Sequence, residues 1–220
     1  MKNFILDKYY KSLTTDYIGK KLIYLEKTDS TNSYASELIR KRGENLSDSL
    51  EGTVVLAETQ KKGKGRFERE WISPSGGLWF TIIFKTSLEP KDLMEVTLIA
   101  AYSIVNILDR DYGIDAAIKW PNDIYHKKLK LGGILTEVEK IADITYLIIG
   151  IGLNANLIKG DFASYSGKST SIKIILGRDV ERETLLSKIL FDFETDYEYY
   201  SRTKDFKTIF KKIEKKLKFS

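Results

Sequence analysis

The chain has 220 residues, enough for one catalytic domain plus a small appendage. With 42% hydrophobic and 30% charged residues it can bury a core and stay soluble, and its net charge is +5. The lack of cysteine excludes disulfides and thiol chemistry, and a lone histidine, His126, argues against a zinc site.

Met1 to Tyr10 lacks the apolar core and cleavage site of a signal peptide. The apolar run Tyr146 to Leu153 falls far short of the roughly 20 residues that span a membrane. A cytoplasmic location without membrane contact is therefore expected. Lys21 to Glu26 reads as a strand. Asp29-Ser-Thr-Asn32 then supplies capping residues for a helix with Tyr34, Ala35, Leu38 and Ile39 on its apolar face and Gly43 after its end. Thr53 to Ala57 is a strand, Gln60 to Arg69 a polar loop, and Gly77 to Phe84 a strand buried on nearly both faces. Pro90 opens a helix carrying Leu93, Val96, Ile99, Ala100, Ile104, Ile107 and Leu108 inward, and Gly113 closes it.

Ala117 to Trp120, the turn Pro121-Asn-Asp123, and Ile124-Tyr125 follow, and Leu129 to Glu139 pairs with Thr145 to Ile149 as a hairpin. The pattern is α+β, a mixed and mainly antiparallel sheet flanked by helices. After Gly177 two helical stripes appear: Leu186, Ile189, Leu190, Phe193, Tyr197 and Tyr200, then Phe206, Ile209, Phe210, Ile213 and Leu217. The chain is expected to end in helix, as an extension over 178–220 packed on a larger domain of residues 1–177. The second stripe should meet the first near Phe193 and Tyr197. Its other face carries Lys207, Lys211, Lys212, Lys215 and Lys218, either a solvated surface or one that steers an acidic partner.

Four short elements carry chemistry. In Gln60 to Pro74, Gly63 and Gly65 let backbone N–H groups approach an anion, and Lys64, Arg66 and Arg69 add cations. The loop is neither a Walker loop nor a dinucleotide fingerprint. Lys119 lies within an apolar strand, so it must find a counter-charge or a bound anion, or sit at a sheet edge with its head in water. Gly132-Gly133 interrupts a strand, which often marks a bulge or a close ligand. Gly150-Ile-Gly-Leu-Asn154 ends another strand with two glycines and an amide.

Each element is weak alone, but their succession is specific. Asp29-Ser-Thr-Asn32, Gln60 with Gly63 to Arg66 and Arg69-Glu-Trp71, Ser73-Pro74, Gly77-Leu78, Lys119-Trp-Pro-Asn-Asp123, Leu131-Gly-Gly-Ile-Leu135 and Gly150 to Asn154 together resemble the biotin protein ligase family, over roughly Leu22 to Gly177. The resemblance implies the class II synthetase-like fold of that family's catalytic domain. It implies that biotin and ATP are joined as biotinyl-5'-AMP and that biotin then passes to a lysine of a biotin carboxyl carrier protein domain. By the same resemblance, Ser30, Thr31, Asn32, Gln60, Gly63, Lys64, Gly65, Arg66, Lys119, Gly132 and Gly133 contact biotin. Arg66, Arg69, Trp71, Lys119, Asn122 and Asn154 contact ATP; Lys119, Arg66 and Arg69 are catalytic, and Asn154 helps hold Mg²⁺.

Ser30 to Asn32 can also be simple caps, and Trp71 simple core. Lys64 stands for a common arginine and Glu68 for a common glycine, which alters the closing of the loop. A lipoate or octanoate ligase of the same fold is the nearest competing reading, although it needs an apolar tunnel where this chain has polar residues. Others are a biotinyl-adenylate-binding regulator and a remnant without catalysis. About 20 residues precede the first strand, too few for a helix-turn-helix, so no DNA partner is expected. No SH3-like domain is evident after the catalytic domain, and a homodimer is one expected assembly.

Overall fold

The computed structural model describes residues 3–42, 49–86, 92–162 and 168–218. The elements run α1 (Leu6–Ser12), β1 (Leu22–Thr28), α2 (Thr31–Arg42), β2 (Thr53–Gln60), β3 (Leu78–Thr86), α3 (Leu93–Tyr112), β4 (Ala116–Lys119), β5 (Asp123–His126), β6 (Leu129–Ile141), β7 (Ile144–Leu153), α4 (Ile172–Leu176), α5 (Arg182–Thr203), α6 (Phe206–Ile213) and β8 (Leu217–Lys218). Gly43 and Pro90, expected at helix ends, lie outside the described residues. Gly113 closes α3 in the left-handed region at φ 63°.

The strands form one sheet in the order β1-β2-β3-β7-β6-β5-β4-β8. β1 pairs parallel with β2 and β8 parallel with β4; the other pairs are antiparallel. Both faces of the central strands are covered, so these strands read as continuous apolar runs. Side chains alternate between two cores. Val54, Leu56, Ile82, Phe84, Leu147, Ile149 and Ile151 join the core with α3 and α5. Val55, Ile83, Tyr146 and Ile148 face the opposite way, toward Ala35 and Ile39 of α2.

The C-terminal helices share the larger core: Leu185, Leu186, Ile189 and Leu190 of α5 pack with Ile104 and Leu108 of α3. Phe193 and Tyr197 also face Phe84 of β3, with ring centroids 5.8 and 4.6 Å away. α6 meets α5 beside them, at Tyr200, whose ring lies 6.0 Å from that of Phe206, and at Asp196, which pairs with Lys212 at 2.7 Å. The expected final helix stops early. After Ile213 the chain makes a short 3-10 turn and enters β8, where Leu217 and Lys218 pair with Ile118 and Lys119. That pairing covers an edge of β4 which a continued helix would leave open.

A buried ion pair fastens α5 to the sheet. Arg182 donates to both carboxylate oxygens of Glu58 at 3.0 and 3.1 Å and to the Gly77 carbonyl at 3.0 Å. The Ser75 hydroxyl donates to Glu58 at 2.6 Å and the Gly76 N–H at 3.3 Å. Burial pushes the Glu58 carboxyl upward, but the Arg182, Ser75 and Gly76 contacts outweigh it and hold it below the ordinary glutamate value. Its contribution to stability is therefore full above the unfolded pKa and is lost as pH falls through the lowered folded value. Glu58→Gln strands the guanidinium, so urea unfolding at pH 7 should show a loss of about 3 kcal/mol. The variant should also lose less stability than the parent as pH drops below 4.5. An unchanged midpoint at pH 7 would remove the pair from the account.

Candidate functional site

The face of the sheet beneath α2 changes character along its length. On β7 the positions facing α2 are Tyr146 and Ile148, and strand alternation carries that face on to Gly150 and Gly152. Their partners across the ladders share the face: Thr81 and Trp79 on β3, Leu135 and Gly133 on β6. Missing side chains leave room above the sheet. A Cβ at Gly150 would overlap the Asn32 amide, and one at Gly152 would lie 2.6 Å from the Trp71 indole nitrogen. These two glycines let the start of α2 and the Trp71 ring lie close to the strand.

The result is a cavity of about 440 Å³, within the size range of ligand pockets. One end is polar and uncharged. Ser30 caps α2, its carbonyl accepting from the Tyr34 N–H at 2.9 Å. Thr31 donates to the Gln60 amide oxygen through both its N–H (2.8 Å) and its hydroxyl (3.2 Å). The Gln60 amide nitrogen donates to Ser73 Oγ at 2.7 Å. Thr81 Oγ1 lies 2.8 Å from Thr31 Oγ1 and 2.7 Å from Asn32 Oδ1, and Asn32 Nδ2 donates to the Leu135 carbonyl and to Glu137. Every amide here is therefore oriented by a neighbour, and capping and site-lining are done by the same residues.

The other end is cationic. Lys64 to Glu70 forms a small hairpin over the cavity: the Gly65 N–H donates to the Arg69 carbonyl, the Trp71 N–H to the Gly63 carbonyl, and the backbones of Lys64 and Glu70 pair antiparallel. Its turn places Phe67 at φ 56° and Glu68 at φ 57°. A side chain in this region costs roughly 1–2 kcal/mol, so Phe67 and Glu68 hold the turn in a conformation that favours glycine. Arg66 reaches across to Asn122 Oδ1 at 3.0 Å, and the guanidinium carbons of Arg66 and Arg69 sit 5.0 and 6.0 Å from the Phe67 ring centroid. Trp71 meets Trp79 edge-on at 6.4 Å, and its buried Nε1 has no hydrogen-bond partner among the described residues. Asn154 is buried, donates to the Thr170 carbonyl at 2.9 Å and lines the cavity.

Most sequence-predicted residues come together here: Ser30, Thr31, Asn32, Gln60, Lys64, Gly65, Arg66, Arg69, Trp71, Asn122, Gly133 and Asn154 all line the cavity. Gly63, Gly132 and Lys119 are not among the lining residues. Gly63 supports the hairpin from below, where a Cβ would strike the Trp71 carbonyl. Gly132 faces Ile124 and Leu153, on the side of the larger core. Lys119 lies opposite Asp123 across the β4–β5 ladder, on the face that Asp123 shares with Gly133, and its ammonium is 5.5 Å from the ring of Tyr125, which lines the cavity. Burial, then the Asp123 carboxylate, pushes the Tyr125 phenol upward.

The cation that sequence reasoning missed is Lys130. It lines the cavity, pairs with Asp123 at 2.7 Å and lies 5.0 Å from the Trp71 ring centroid. A bulge places it there. Ile124 pairs with Gly132 but Tyr125 with Lys130, so Leu131 is the extra residue and enters the larger core. Simple alternation from Gly133 would have sent Leu131 to the cavity and Lys130 away from it; the bulge reverses both. The available signal was Lys130 itself, directly before Leu131-Gly-Gly. Lys168 is a further lining cation, and its carbonyl accepts the Lys130 N–H at 2.8 Å.

Comparison with known proteins gives a consistent picture. The profile of the biotin/lipoate A/B protein ligase family matches residues 24–154, more than half of the chain. The bifunctional ligase/repressor BirA of Bacillus subtilis is 35% identical over 191 residues, covering 86% of this chain and 57% of its own length. The BirA of Escherichia coli K12 is 34% identical over 139 residues, covering 62% of this chain and 41% of its own. The solved biotin protein ligase from Aquifex aeolicus in complex with biotin and ATP aligns with a TM-score of 0.74 at 32% identity, over 90% of this chain and 78% of that one. The chain thus spans little more than half the length of its Bacillus relative.

The glycine floor can be tested without any ligand. Gly152→Ala places a methyl against the Trp71 indole, which must move or the strand must yield. The variant should fold with a loss of about 1–3 kcal/mol, typical of overpacking. Its near-ultraviolet circular dichroism in the tryptophan region should change relative to a Gly160→Ala control, where a Cβ meets nothing within 4 Å. Identical spectra for the two variants would show that Trp71 does not rest on the glycine.

Proposed function

The chain belongs to the biotin/lipoate A/B protein ligase family, and on that premise we propose that it is an ATP-dependent biotin protein ligase. The observation that carries the reading is one cavity with an uncharged polar end and a cationic end. A ureido ring is polar and neutral, and suits the hydroxyl and amide groups of Ser30, Thr31, Asn32 and Gln60. Two anions, a carboxylate and a triphosphate, suit the end lined by Arg66, Arg69 and Lys130. The unpartnered Trp71 nitrogen offers a donor to a ligand beside it. The lipoate reading is less well supported, because the enclosed end is polar.

The reaction follows from charge. The biotin carboxylate attacks the α-phosphorus in line and pyrophosphate leaves, so the residues must hold two anions together and oppose their repulsion. Lys130 joins Lys119, the cation proposed from the sequence, in the central cationic role, with Arg66 and Arg69 on the hairpin. Asp123 sets the Lys130 ammonium at 2.7 Å, and Asn122 sets Arg66 at 3.0 Å. A lysine amine of a carrier protein then attacks the mixed anhydride, and AMP leaves. The biotin carboxyl carrier domain remains the proposed acceptor, and the exposed Lys207, Lys211, Lys215 and Lys218 are candidates for steering it.

Mg²⁺ does not have a protein cage: no group of three or more acidic or histidine ligands occurs among the described residues. Asn154 offers one amide and Asp123 a carboxylate already paired with Lys130. The donor set therefore does not fit a protein-held ion, and any Mg²⁺ would come with the phosphates of ATP.

Pyrophosphate release is the direct test. It should depend on biotin and not be supported equally by lipoate or octanoate; equal turnover with all three acids would sink the biotin assignment. Lys130→Ala should slow the step by roughly 10²-fold, as expected for one charge-assisted contact to a transferring group. Lys119→Ala should slow it by a similar factor. A parental rate in either variant would remove that lysine from the role.

A further inference from the structure

Glu137 is a carboxylate that the proposed reaction does not use, yet it touches both halves of the site. It lies on β6 opposite Ile148, at the border between the apolar core under α2 and the glycine floor. Its Oε2 accepts from Asn32 Nδ2 at 2.7 Å. Its Oε1 lies 3.7 Å from the Lys64 ammonium at the base of the hairpin. Lys64, Leu135 and Glu137 line the space beneath that hairpin.

The two contacts are chemically unlike. Asn32 is already oriented, because its Oδ1 accepts from Thr81 at 2.7 Å and its Nδ2 must therefore face Leu135 and Glu137. Without Glu137 one amide hydrogen of the buried Asn32 loses its acceptor. Lys64 needs only a negative charge. The Lys64 and Glu137 side chains are 46% and 35% exposed, so the pair is weak and readily broken.

We infer that Glu137 is a positioning residue that ties the Lys64–Glu70 hairpin to the polar floor. One carboxylate sets the Asn32 amide and latches the hairpin, so orientation of the floor and closure of the cover are coupled through a single side chain. The ligand identities rest on the biotin ligase reading; the coupling itself does not.

The test uses limited trypsin digestion of the unliganded full chain, followed at Arg66 and Arg69 by mass spectrometry, together with the KM for biotin. Glu137→Gln keeps an acceptor for Asn32 and loses the charge, so hairpin cleavage should rise about two- to fivefold, the reach of a partly exposed ion pair. Lys64→Glu combined with Glu137→Lys should bring cleavage back toward the parental rate. Its KM for biotin should stay raised, because a lysine cannot accept from Asn32. Glu137→Ala should raise that KM roughly tenfold beyond Glu137→Gln, the effect of an unsatisfied donor. Parental cleavage in Glu137→Gln, or no recovery in the charge swap, overturns the latch. An equal KM in Glu137→Ala and Glu137→Gln overturns the floor role; if Glu137→Ala does not fold, a charge swap with a parental KM does so instead. A parent without biotin-dependent turnover would refute the ligase reading, while the digestion comparison would still decide the coupling.

Discussion

The site depends on what β7 lacks. Four successive positions on one face of that strand run Tyr146, Ile148, Gly150, Gly152. The first two build a core under α2, and the last two withdraw side chains from the same face. Close packing fills a covered sheet face with side chains, so removing two of them opens a cavity while the ladder stays intact. With the glycines in place, Asn32 rests against the strand, Thr81 reaches its amide, and Trp71 lies over Gly152. The hydrogen-bonded set of Thr31, Gln60 and Ser73 then closes the polar end.

Charge is placed by a second irregularity. The Leu131 bulge turns Lys130 onto the cavity face, where Asp123 and the Trp71 ring fix its head. The hairpin brings Arg66 and Arg69 from the opposite side, across a turn held by Phe67 and Glu68 in left-handed conformation. One set of cations is mounted on a rigid strand and the other on a turn that carries strain. That division suits a reaction in which the site must admit two anions and then enclose them. The Glu58–Arg182 pair anchors the segment leading into β3, so the floor is held from the side of α5 as well.

Much of this was legible in the sequence. The order of strands and helices from β1 to β7 followed from period and caps, whereas α1 and α4 were not expected, and the glycine pairs at Gly132-Gly133 and at Gly150 and Gly152 marked where the backbone would be bare. Gly133, Gly150 and Gly152 line the cavity. Lys130 was hidden because face assignment counts in twos, and one bulged residue inverts every inference beyond it. Lys119 drew attention through its apolar neighbours, and it lies opposite the cavity-lining Asp123 with its ammonium beside the Tyr125 ring. The last strand was hidden for another reason: Leu217 continues a helical stripe, and only the open edge of β4 explains why it leaves the helix. Long-range pairs such as Glu58 with Arg182 leave no local pattern to read.

The central claim is that a neutral polar pocket and a cationic pocket share one cavity and serve biotin and ATP together. Isothermal titration tests this most directly. Biotin should bind with a stoichiometry of one, lipoate should bind far more weakly, and ATP should produce its full heat only in the presence of biotin. Equal binding of lipoate and biotin, or ATP binding indifferent to both acids, would contradict it.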